Sequence, residues 1–90
     1  MATLTAESRV TPTTISSKIA DVKYVYHDLM TICILDLENG FTVIGKSACA
    51  SPAIYNKAMG EKLAYDDAFN NVWPLEGYLL KQRLYEVAQP

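Results

Sequence analysis

The stretch TICILDLENGFTVIGKSA, residues 31–48, decides how the rest of the chain is read. Two apolar runs flank Asn39-Gly40, and an Asn-Gly pair between such runs is the strongest short-range signal of a β-hairpin. A two-residue type I′ turn needs φ > 0 at both central residues, which Asn tolerates and Gly adopts freely. The spacing predicts strands over residues 29–38 and 41–48, with Glu38 facing Phe41, Leu37 facing Thr42 and Leu35 facing Ile44. Alternation then places Cys33, Leu35, Leu37 and Ile44 on one face, and Met30, Ile32, Ile34, Phe41 and Val43 on the other. Both faces are partly apolar, so both need cover, from helices of the same chain or from another subunit.

Upstream, Thr11-Pro12 combines an N-cap residue with proline at the first helical position. Ile15, Ile19, Val22 and Tyr26 follow at helical spacing and predict a helix over residues 12–26, with His27-Asp28 as the connection to the hairpin. Downstream, Ser51-Pro52 repeats the start signal and predicts a long helix from Pro52 to about Val72. Its stripe is Tyr55, Met59 and Leu63, with Ala58, Ala64 and Ala68 as small contacts. Gly60 inside it signals close backbone approach. Trp73-Pro74 ends or kinks this helix. Leu75, Leu79, Leu80, Leu84 and Val87 support a last helix over residues 74–87. Residues 1–10 lack periodicity and read as a flexible tail, and nothing subdivides residues 11–90. The expected fold is a single α+β domain: helix, two-stranded antiparallel β-hairpin, long helix, shorter C-terminal helix.

A chain of 90 residues makes one domain with a marginal core. Hydrophobic residues nevertheless make up 50% of it, a surplus that points to apolar surface buried against a partner or a second copy. The formal net charge of −2 lacks the basic footprint of a nucleic-acid binder. The first ten residues contain no apolar segment of the signal-peptide kind, and no apolar run approaches the ~18 residues of a membrane span. Cys33 and Cys49 read as reduced thiols, and the single His27 stands apart from any metal-ligand cluster, so neither metal nor cofactor is expected.

Residues 40–47, GFTVIGKS, satisfy the phosphate-loop pattern GxxxxGK[ST] letter for letter. A phosphate loop needs free backbone N–H groups curling between a strand and a helix. Here Phe41, Thr42, Val43 and Ile44 prefer an extended strand, where those groups enter the ladder. A weaker version of the motif retains meaning. Lys46 and Ser47 precede a helix start at Ser51, and the three together form a candidate anion site for a phosphate or a carboxylate; the plainer reading is a solvated lysine and an ordinary N-cap. Of the carboxylates Glu61, Asp66 and Asp67, Glu61 lies four positions after Lys57 and Asp66 four after Lys62, the pattern of a salt-bridged solvated helix face. No catalytic constellation emerges, and enzyme activity is not expected. Six tyrosines and Trp73 are many for this length. Tyr78 and Tyr85 share a face of the last helix. With Leu80 and Leu84, and with Phe41 and Val43 on the hairpin, they form a candidate interface for a homodimer or higher even oligomer.

Four pieces carry a family resemblance: NGFTVIGKSAC, the Ser51-Pro52 start, the small-residue helix with Met59-Gly60 and Ala64–Ala68, and WPLEGYLLKQRL over residues 73–84. Together they resemble the small tailed-phage and prophage proteins of the gp forty-nine/sixty-six-like family, from about Thr11 to Leu84. The resemblance implies a phage-encoded accessory protein in the host bacterial cytoplasm, and carries over no catalytic residue and no cofactor. It leads to the expectation of a non-enzymatic protein that binds and modulates or inhibits a bacterial host protein of a defence or regulatory system. The alternative expectation is an oligomer that sequesters a small anionic nucleotide near Lys46, Ser47 and Ser51.

Overall fold

The computed structural model describes residues 9–88, so the expected tail falls almost wholly outside the described residues. Helix α1 (Pro12–Lys18) leads into strands β1 (Ile19–His27), β2 (Met30–Leu37) and β3 (Thr42–Ala48), which form one antiparallel sheet in the order β1-β2-β3. A 3₁₀ turn (Pro52–Ile54) and the 32-residue helix α2 (Lys57–Ala88) complete the fold. The class is α+β, as expected. The sheet has three strands rather than two, and one helix replaces the expected last pair.

The first helix starts where Thr11-Pro12 places it. The Thr11 side chain accepts from the Thr14 amide while the Thr14 hydroxyl accepts from the Thr11 amide, a reciprocal capping box. It ends at Lys18 instead of Tyr26. Beyond it the β-branched and aromatic residues Val22, Tyr24, Val25 and Tyr26 lose less side-chain freedom in a pleated strand than in a helix. Their spacing fits both periods; Val22 and Tyr24 pack towards the core while Lys23 and Val25 face out. The connection moves with the strand. His27 pairs with Met30, and Asp28-Leu29 makes the turn, with Asp28 at φ 51°.

The central hairpin forms, but in a register shifted by one residue. Leu35 faces Val43 and Ile34 faces Ile44. The loop has three residues, 38–40: the Gly40 amide donates to the Leu37 carbonyl at 2.9 Å, the Leu37 amide donates to the Phe41 carbonyl at 2.8 Å, and Gly40 sits at φ +91°. Only Gly40 of the Asn-Gly pair is left-handed, so the turn is not type I′. Asn39 instead accepts from the Phe41 amide through its side chain at 3.0 Å. A one-residue slip exchanges the faces of a strand. Val43, expected outside, therefore joins Thr31, Cys33, Leu35 and Leu37 on the covered face, and Ile44 leaves it.

Ser51 caps its helical turn as expected, but only the 3₁₀ turn follows. The long helix takes its own cap from Asn56, whose side chain accepts from the Met59 amide at 3.0 Å. It then runs through Pro74 without a break. Pro74 and Asn70, whose carbonyl loses its helical partner there, are both exposed, so water can satisfy that carbonyl. The buried stripe is Ala64, Ala68, Val72 and Glu76, not Tyr55, Met59 and Leu63; Met59 and Leu63 are exposed. The reason is distance. A Cβ on Gly45 would lie 2.0 Å from the Ala68 amide nitrogen and 2.5 Å from the Ala64 carbonyl oxygen. Strand and helix meet backbone to backbone, and only alanines fit beneath. Gly60 makes the expected second close approach, over the Thr31 hydroxyl.

Candidate functional site

Helix α2 follows β2 from Gly60 above Thr31 to Glu76 beside the β2–β3 loop, then passes the hairpin tip. Between that tip and the helix lies a groove of about 290 Å³ lined by Leu37, Asn39, Phe41, Leu75, Tyr78 and Leu79. Phe41 is 55% exposed and Tyr78 70% exposed, so its rim is aromatic and open. Glu76 also lines the groove, yet is only 4% exposed, and its Oε1 has no hydrogen-bond partner among the described residues. A smaller hollow of about 70 Å³ adjoins it and is shared by Glu76 with Lys18, Glu38 and Asn39. The Lys18 ammonium is 3.8 Å from the Glu38 carboxylate.

Two of the candidate interface residues, Phe41 and Tyr78, are thus brought to one groove although 37 positions separate them in the chain (78 − 41). Val43 is not with them: it is 7% exposed and packs in the core beneath α2, a consequence of the shifted register. Leu80 and Leu84 are half-buried, and Tyr85 is exposed one heptad beyond Tyr78. Neither helix covers the opposite face of the sheet. Register places Val25, Met30, Ile32, Ile34 and Ile44 on it, and Ile44 is 55% exposed. Glu76 was missed by sequence reasoning. Its signal was the spacing of four that continues from Ala64, Ala68 and Val72, which a single helix through Pro74 would have revealed.

The anion-site candidates are not gathered around one point. Ser47 points to the helix and donates to the Gly60 carbonyl at 2.7 Å. Ser51 accepts from the Ala53 amide at 3.2 Å. Lys46 lies on the other face of the strand, exposed, and its backbone amide donates to Asp67 at 2.9 Å. The residues matching the phosphate-loop pattern are a hairpin turn and an extended strand.

Several other polar groups join elements of the fold. Tyr26 donates to Glu61, which pushes the Tyr26 hydroxyl pKa up to about 12, and the Lys57 ammonium stands 4.9 Å over the Tyr26 ring. Glu61 therefore binds across to the sheet rather than along the helix to Lys57. Lys62 and Asp66 do form the expected i,i+4 pair, at 2.8 Å. Cys33 and Cys49 are free thiols; burial pushes the Cys33 thiol up, and Cys49 donates to the Ser51 carbonyl at 3.2 Å. Among the described residues no helix is long and apolar enough to cross a membrane.

The architecture defines a class: a small α+β module with one long helix across one face of a three-stranded antiparallel sheet. Residues 10–84 match the Phage protein (N4 Gp49/phage Sf6 gene 66) family, and the chain belongs to this family of bacteriophage proteins. No curated protein and no solved structure matches the chain.

Proposed function

We propose that this phage protein is a non-enzymatic accessory factor that acts in the host bacterial cytoplasm by binding a host protein and modulating or inhibiting it. The observation that carries the reading is the groove at the hairpin tip. It joins exposed aromatic and aliphatic side chains from two separate elements, the composition of an interface centre rather than of a solvated surface. Membership of a bacteriophage family supports a bacterial host as the source of the partner. The test is affinity purification from host cells expressing the wild-type chain or its Phe41→Asp/Tyr78→Asp variant. A host protein retained by the wild type and lost by the equally folded variant is the expected result. Equal recovery with both, or no specific host protein at all, sinks the proposal.

The alternative, an oligomer that sequesters an anionic nucleotide near Lys46, Ser47 and Ser51, has less support because both hydroxyls are engaged elsewhere. A ligand of the native state raises its melting temperature. A clear thermal shift with a nucleotide, lost in Lys46→Ala, would make this the better reading.

A further inference from the structure

We infer that Glu76 is the receptor for a cation at the base of the hairpin-tip groove, and that its occupant is an arginine side chain of the bound partner protein. The inference rests on the host-protein reading and gives its recognition chemistry. Removing a carboxyl group from water without a partner is costly, and natural folds rarely keep such a group in a core position. Here Glu76 occupies the stripe position after Val72, where an apolar residue would serve the core better. Its Oε1 is left without a partner although Lys18 lines the adjoining hollow, because the Lys18 ammonium pairs with Glu38 instead. An incoming guanidinium supplies donors to the carboxylate where Glu76 lines the groove, and its planar fork suits that group. Its flat faces also suit the aromatic rim of Phe41 and Tyr78, and its methylene stem suits Leu75 and Leu79. Arginine is preferred to lysine on this geometry, because a compact, strongly hydrated ammonium gains nothing from flat aromatic walls.

The probe is the peptide acetyl-Ala-Leu-Arg-Leu-Ala-amide, compared with the same peptide carrying citrulline, which keeps the shape and loses the charge. Amide chemical-shift mapping on the intact chain should show the arginine peptide perturbing Asn39, Phe41 and Leu79, with the citrulline peptide weaker by roughly tenfold or more. Glu76→Gln should abolish the difference between the two peptides. Equal binding of both peptides to the wild type, perturbations elsewhere, or an undiminished difference in Glu76→Gln overturns the inference. Stability gives an independent readout. Glu76→Met should raise the melting temperature, since a group kept for binding is unfavourable in the free chain; a lowered melting temperature would mean that Glu76 is structural and would also overturn it. Lys18→Met should tighten the arginine peptide by removing a like charge from the adjoining hollow; weaker binding counts against the site. These outcomes are separable from those of the host-protein reading. A host protein captured equally by wild type and Glu76→Gln removes the arginine receptor and leaves the function standing, whereas peptide binding without a host partner does the reverse.

Discussion

Gly45 shows how much one hydrogen atom in place of a methyl group determines. Its missing Cβ is the space occupied by the backbone of Ala64 and Ala68, and backbone cannot step aside as a flexible side chain can. Gly45→Ala is expected to cost about 3 kcal/mol or more, read from urea unfolding, or to prevent folding. Gly77 is the control. A Cβ there meets nothing within 4 Å, so Gly77→Ala should stabilise by about 0.5–1 kcal/mol through helix propensity alone. Tyr26 carries a pH dependence. Its hydrogen bond to Glu61 holds the proton in the folded state up to about 12, against an ordinary value of 10.0. The folded state therefore binds this proton more tightly than the unfolded state does. The contribution is whole below pH 10 and is lost as pH rises through about 12. Wild-type minus Tyr26→Phe tyrosinate absorbance should show a midpoint near 12, and a midpoint near 10 would mean that the bond does not persist in solution.

At the scale of elements, α2 does two things. It covers the sheet, and it closes the β3 edge. Asp67 accepts from the Lys46 amide, and Asn71 donates to the Ile44 carbonyl at 2.9 Å, so two outward-facing backbone groups of the edge strand are occupied by side chains of the helix. Asp67→Ala is expected to cost about 1 kcal/mol and to speed hydrogen exchange at the Lys46 amide more than at its neighbours. Pro74 tests helix continuity. If α2 is one helix, Pro74→Ala restores a hydrogen bond and should stabilise by about 1–3 kcal/mol with helix content unchanged or higher. A loss of stability would show that two helices meet at Pro74.

At the scale of the molecule, the long helix makes the protein elongated, 60 × 21 × 17 Å. A helix of 32 residues accounts for about 48 Å of that length. So thin a body leaves one sheet face without a helix over it, and the apolar residues on that face suit a second copy. A homodimer was expected through the last helix or the hairpin face with Phe41 and Val43; we propose that it forms instead on Val25, Ile32, Ile34 and Ile44, which leaves the hairpin-tip groove open. Multi-angle light scattering should give a dimer mass at tens of micromolar that falls to a monomer with Ile44→Asp and is unchanged by Lys57→Glu. Loss of the dimer with Tyr85→Asp, and not with Ile44→Asp, would move the contact to the end of α2.

Local chemistry fixed the α1 start, the Asn39-Gly40 hairpin, the Ser51 cap and the α+β class, because caps and turns act over three or four residues and are written in the sequence that makes them. The resemblance of NGFTVIGKSAC and WPLEGYLLKQRL to a phage family was legible for the same reason. Three features were decided only by the tertiary structure. Residues 19–26 carry a pattern that suits helix and strand alike, and pairing with β2 chose strand. The hairpin register followed from the loop of three residues, and burial of Val43 under α2 is its consequence. Pro74 stayed in a helix because its exposed side lets water replace the lost bond while Val72 and Glu76 remain seated on the sheet side. The candidate groove divides the same way. Phe41 and Tyr78 could be chosen one by one as exposed aromatics, but only the crossing of helix and hairpin put them in one groove with Glu76, since contact between distant segments is set by packing and not by any local rule.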